Sequence, residues 1–154
     1  MRLTIDNQTE WDGRDLRVLC RRVIDHTDGY GRRIEIATTK RNKREKELNW
    51  KVNGDGSTCR TNRMLYSGYA SINSRRKLYM GVPKVEREID GQWYRAEFNP
   101  VEFARVMEHE ILHNQGLRHG DMTDDTRYCQ QDVSHMGVED LTVNPKPSFE
   151  GRVE

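Results

Sequence analysis

The sequence predicts one α+β domain over residues 1–154: a small mixed, twisted sheet with two main helices, the second followed by a short irregular region. Three observations predict it. Residues 11–27 and the stretch that begins at Asn99 repeat apolar side chains at three- and four-residue spacing. Short segments before and between them alternate apolar with polar. Beyond His119 no helical period returns.

Composition narrows the class. At 34% hydrophobic and 33% charged, the chain is expected to carry a small core under a highly solvated surface. Its 26 basic and 25 acidic residues nearly balance, which gives no global reason to expect nucleic-acid binding. No apolar run approaches the roughly 18 residues that span a membrane. The start, from Met1 to Asp6, lacks the apolar core of a secretory signal. The expectation is a cytoplasmic monomer, or a catalytic domain whose leader has been removed. Cys20 falls inside an apolar helical pattern and reads as a core residue. Cys59 and Cys129 lie in polar sequence and could pair in an exported protein, though three cysteines leave one over.

Taken in order, Leu3, Thr4 and Ile5 suggest an opening strand. Trp11, Leu16, Leu19, Cys20, Val23 and Ile24 then share one helical face, in a helix begun near Thr9 or Asp12 and stopped by Asp28 and Gly29. Residues 33–39 alternate as a strand. The basic run Lys40, Arg41, Lys43, Arg44 and Lys46 reads as a solvated loop, because the aromatic residues that single-strand binding needs are missing. Residues 53–57 form a flexible turn; residues 64–73 and 77–82 are two strands joined like a hairpin through Ser74, Arg75 and Arg76. Asp90 and Gly91 suit a further turn, and residues 92–98 a short strand. The second helix has a marked start: Asn99 as N-cap, Pro100 in the first position, and Glu102 three after the cap. After His119 comes a polar, acidic stretch with Asp121, Asp124, Asp125 and Asp132. It reads as an irregular loop; a calcium site there, or Asp121 orienting a ligand histidine, are the alternatives. A tail with Pro145 and Pro147 closes the chain in extended form.

The chemistry concentrates in residues 109–119. Each helical residue advances by about 100°, so His109 and His113, four apart, share one face and can offer two imidazole nitrogens to one ion. Phe103, Ala104, Met107 and Ile111 fall on the other side, so the helix can pack on the sheet and present its histidines to a cleft. Glu110 lies next to the histidine face, placed to handle a water but not to be a ligand. Gly116 can take a positive φ and turn the chain back, bringing His119 as third ligand. Three protein ligands with a fourth position open is the arrangement of catalytic zinc.

His109, Glu110, His113, Gly116 and His119, with Met136 seventeen residues further on, resemble the metzincin clan of zinc metallopeptidases. The resemblance implies a zincin-like fold with a methionine turn, Met136 forming a floor under the metal, one catalytic Zn2+, Glu110 as general base, and a protein or peptide substrate. It also implies that the strand before the helix lines the cleft, which singles out residues 77–82 to bind an extended peptide by strand addition. The sequence departs from the clan in three ways. Nothing in it resembles a pro-segment or cysteine switch, Val138 stands where some members have a metal-binding tyrosine, and the region after Met136 is short.

Two other classes compete. Small bacterial endoribonucleases of the YbeY type space three histidines in the same way but usually carry glycine where this chain has Glu110, which favours the peptidase. A metal-stabilised binding module without activity is the other rival; all three ligands and the base being present argues against it.

Overall fold

The computed structural model describes residues 1–38, 76–82, 97–121 and 132–147, together with the backbone of five short strand segments at 51–52, 58–59, 67–69, 86–89 and 92–95. In chain order the elements are β1 (Thr4–Gln8), α1 (Gly13–Asp25), β2 (Arg33–Thr38), β3 (Lys51–Val52), β4 (Thr58–Cys59), β5 (Ser67–Tyr69), β6 (Lys77–Val82), β7 (Glu86–Ile89), β8 (Gln92–Arg95) and α2 (Pro100–Asn114). Two 3-10 turns, Ser134–Met136 and Val138–Asp140, come after them.

The main sheet has the order β1-β2-β6-β5. β1, β2 and β6 run parallel, and β5 joins β6 antiparallel. The result is a mixed α/β arrangement with two helices. Register explains its buried face: Ile34 stands beside Leu78 and Ile36 beside Met80, and all four side chains are buried. Glu35 projects to the opposite face, where it accepts a hydrogen bond from Gln8, itself bonded to Asp6. The alternation of side chains along each strand thus separates core from polar surface. β3–β4 and β7–β8 form two separate antiparallel pairs; the turn expected at Asp90 and Gly91 lies outside the described residues.

One expectation is overturned here. Residues 77–82 are not an open edge: β6 is flanked by β2 on one side and β5 on the other, so its backbone groups are already paired. Among the described strands the edges of this sheet are β1 and β5, and β5 is the one that packs against α2. The parallel pairing of β2 with β6 accounts for the change: the hairpin with β5 leaves β6 one side open, and β2 closes it.

Both helices start as their caps dictate. The Asp12 carboxylate accepts from the N–H groups of Arg14 and Asp15 at 2.9 and 3.1 Å, and the Asn99 side chain accepts from Glu102 N–H at 3.1 Å with Pro100 at the first position. Each cap satisfies donors that the helix itself leaves open. α1 buries Leu16, Leu19, Cys20, Val23 and Ile24, its core face. Burial pushes the Cys20 thiol up to about 12, so it is a packed, inert sulfhydryl. Cys59 and Cys129, the candidates for a bridge in an exported protein, fall outside the described side chains. Trp11, Phe98 and Phe103 pack ring against ring in series, with centroids 5.2 and 5.5 Å apart, and so join the entry of α1 to the entry of α2.

Residues 141–146 run extended, as expected, and dock: Trp11 and Pro145 form an antiparallel bridge, and Asp12 N–H and Lys146 N–H bond to Asn144 O and Glu10 O; Pro147 is helical, and the rest of the tail lies outside the described residues. Among the described residues no helix is long and apolar enough to cross a membrane.

Candidate metal centre

α2 is buried on far more of its circumference than an amphipathic helix needs. Phe103, Ala104, Met107 and Ile111 pack into the core, as their spacing predicts, but Val106, His109, Glu110 and His113 are buried too. At 100° per residue the buried positions cover an arc of about 220°. The histidine face is therefore not an open cleft wall. His109 and His113 are only 3% and 8% exposed, and solvent meets the group from the side of the exposed His119.

The helix ends in the way that delivers that third histidine. Gly116 has φ 96, a left-handed value that glycine takes without strain. Gly116 N–H bonds to His113 O at 3.0 Å and Leu117 N–H reaches back to Leu112 O at 3.1 Å, which is the Schellman pattern of a helix C-terminus. Residues 118–121 then form a turn in which Asp121 N–H bonds to Arg118 O and the Asp121 carboxylate accepts from Arg118 N–H at 3.0 Å. Asp121 thus braces the loop that carries His119 through its backbone; orientation of a ligand ring falls to another group.

The three rings converge. Their centroids stand 4.8 to 5.2 Å apart, while the Nε2 atoms stand closer: 3.2 Å for His109–His119 and His109–His113, and 3.1 Å for His113–His119. Nitrogen ligands about 2.0–2.1 Å from a tetrahedral ion are about 3.3–3.4 Å from one another, so the triangle has the size of a metal site. Hydrogen bonding does not explain it. A ring nitrogen holds either one proton or one lone pair in its plane, and three such positions around one point cannot all satisfy one another. A cation at that point satisfies all three.

One tautomer is fixed. His113 Nδ1 lies 2.7 Å from the carbonyl oxygen of Leu117, which can only accept, so Nδ1 carries the proton and Nε2 presents its lone pair to the ion position. The three histidines could therefore hold a metal ion. Glu110 is 2% exposed, comes directly after His109 and lies about 60° from His113 around the helix.

Met136 sits in the first 3-10 turn, buried at 1% in the core that Met107 and Ile111 share. The turn after it bends at Gly137, φ 66, and packs against both helices. Residues 122–131, with Asp124 and Asp125, and the basic run 40–46 lie outside the described residues. Asp132 accepts from Ser134 N–H at 2.9 Å and so serves the backbone of the 3-10 turn that carries Met136.

Sequence reasoning missed three supports. The Leu117 carbonyl is a backbone group and carries no side-chain signal. Arg22, on the polar side of α1, donates to Met136 O and Gly137 O at 3.2 and 3.4 Å. Arg32 is a buried arginine held between Asp28 and Asn114. No family model, no curated protein and no solved structure matches this chain, so the reading of the centre rests on its own residues and geometry.

Proposed function

We propose that the chain is a zinc-dependent metalloendopeptidase of the metzincin kind, with a zincin-like fold reduced to a short lower part. The observation that carries the reading is the triangle of three Nε2 atoms with Glu110 buried beside it on the same helix. His109, His113 and His119 hold the ion; three neutral imidazoles suit zinc among divalent metals. Zinc, when bound, supplies the Lewis acidity that polarises a scissile carbonyl and makes water nucleophilic near neutral pH. Glu110 takes the proton of the attacking water and returns it to the leaving amine. His113 keeps its orientation through Leu117 O, and Met136 packs beneath the site from the methionine turn. The polypeptide substrate lies extended along β5, the sheet edge beside α2, in place of residues 77–82.

Glu110→Ala tests the roles. The variant retains zinc at the level of the unaltered chain, and its hydrolysis of unstructured casein falls by about 10²-fold or more. Casein cleavage at the normal rate, with the metal still bound, would sink the assignment. RNA offered in parallel stays intact if the reading is right.

A further inference from the structure

His119 is the one ligand that α2 does not itself carry. Its place depends on the direction in which the chain leaves the helix, and that is set by the last turn, Asn114 to Gly116. Side chains from another part of the fold grip this turn. Arg32, just before β2, is 4% exposed. Its Nη1 and Nη2 each donate to one oxygen of Asp28 at 2.6 Å, and Nη1 donates also to Tyr30 O. The remaining edge of the guanidinium, Nε, donates to Asn114 Oδ1 at 3.1 Å. Asp28 in turn accepts from Gln115 Nε2 at 3.2 Å, and Asn114 Nδ2 reaches Lys77 O at 3.4 Å. These groups line a cavity of about 740 Å³ with Tyr30 and Arg76.

A buried ion pair is a weak source of net stability, because desolvating both charges offsets most of their attraction. It does fix direction. The planar guanidinium, forked onto a carboxylate, has one orientation, and its Nε edge then points one way. Asn114 and Gln115 are the two residues directly after His113, and both are held.

We propose that Arg32 and Asp28 are positioning residues for the metal centre, holding the last turn of α2 so that Gly116 sends the chain back along the path that delivers His119. The inference rests on the reading that the three histidines hold a metal. It adds that the third ligand is placed from outside the motif, by the loop between α1 and β2. On this account Asn114 and Gln115 transmit the constraint; neither touches the ion.

The test cuts the grip without breaking the buried pair. Asn114→Ala with Gln115→Ala removes both links at positions that are at least partly exposed, so circular dichroism and the thermal midpoint stay close to those of the unaltered chain. Cobalt(II) affinity, measured by chelator competition with the visible absorption as readout, falls by about 10- to 100-fold, the usual loss when support behind a metal ligand is removed. The same pair of substitutions in a His119→Ala background lowers affinity no further, because no third ligand is left to place. If the double substitution unfolds the chain, Gln115→Ala alone, at an exposed position, gives the same comparison. Unchanged affinity overturns the proposal. So does an equal loss with and without His119, which would make the network merely structural. If the unaltered chain binds neither cobalt nor zinc, the metal reading falls and this inference falls with it.

Discussion

The two helices begin alike and end alike, yet they are buried differently. Both open on a capping carboxylate or amide and both stop near a glycine at positive φ, Gly29 at 73 and Gly116 at 96. α1 buries five of its thirteen residues, all apolar or thiol. α2 buries eight of fifteen, and three of those are His109, Glu110 and His113. Packing into the common core explains the whole of the first set and only part of the second. Burying polar side chains costs free energy unless partners compensate, so the buried polar residues of α2 call for partners that the apolar face of α1 does not. On the proposed function, an ion held by the three imidazoles is such a partner for His109 and His113.

Removing the metal should expose the contrast most strongly. At a free-ion concentration a thousand times Kd, bound zinc stabilises the fold by about 4 kcal/mol, which for a chain of this size is a thermal-midpoint shift on the order of 10 °C. Chelation should therefore lower the midpoint by that amount. Hydrogen exchange should locate the loss in the last two turns of α2, with α1 keeping its protection. Equal loss of protection in both helices would show that the burial of the histidine face does not depend on an ion.

How much of the fold and the site is legible in the sequence depends on the kind of information each feature carries. Caps, glycine stops and the apolar faces are local, and Asp12, Asn99, Pro100, Gly29 and Gly116 stand where their chemistry predicts. The alternation that begins at Arg33 tells correctly that Ile34 and Ile36 are buried, because period two is intrinsic to a strand. It cannot tell which distant strands lie alongside, so β6 reads as the open edge of a hairpin with β5 although β2 covers its other side. The strands Lys51–Val52 and Thr58–Cys59 have two residues each, too few to show any period. At the site, the histidine trio is legible because helix geometry and one glycine bring it together. The supports of that trio are not. A carbonyl such as that of Leu117 has no residue identity, and Arg32, next to Arg33 at a strand start, looks like one more solvated charge.

The two glycines offer a finer comparison, since they have the same chemistry and differ in the segment each leads into. An added Cβ would meet nothing within 4 Å at either position, so only backbone strain is introduced. Gly29→Ala and Gly116→Ala should each destabilise the chain by about 1–2 kcal/mol. Metal affinity should separate them: unchanged for Gly29→Ala, lowered at least tenfold for Gly116→Ala, whose turn leads to His119. Equal affinities, read by the same chelator competition, would mean that the turn after α2 can relax without moving its ligand.

The smallest effect concerns pH and links the two helix ends. Burial alone would raise the Asp28 carboxyl, but the Arg32 guanidinium, the Tyr30 N–H and Gln115 more than offset it and hold the group below its ordinary value. A carboxylate lowered on folding contributes stability that is present above its unfolded value, near about 4, and is lost as pH falls through the folded value. The measurement belongs in the chelated chain, where protonation of metal-bound imidazoles does not compete. There the thermal midpoint should fall on acidification below about pH 4, and Asp28→Asn, less stable at neutral pH, should fall less steeply over the same window. Parallel slopes would assign the acid sensitivity to other carboxylates. A shallower slope would show that the turn after α1, through one ion pair, helps hold the end of α2 in place, which ties the plain helix to the one that bears the site.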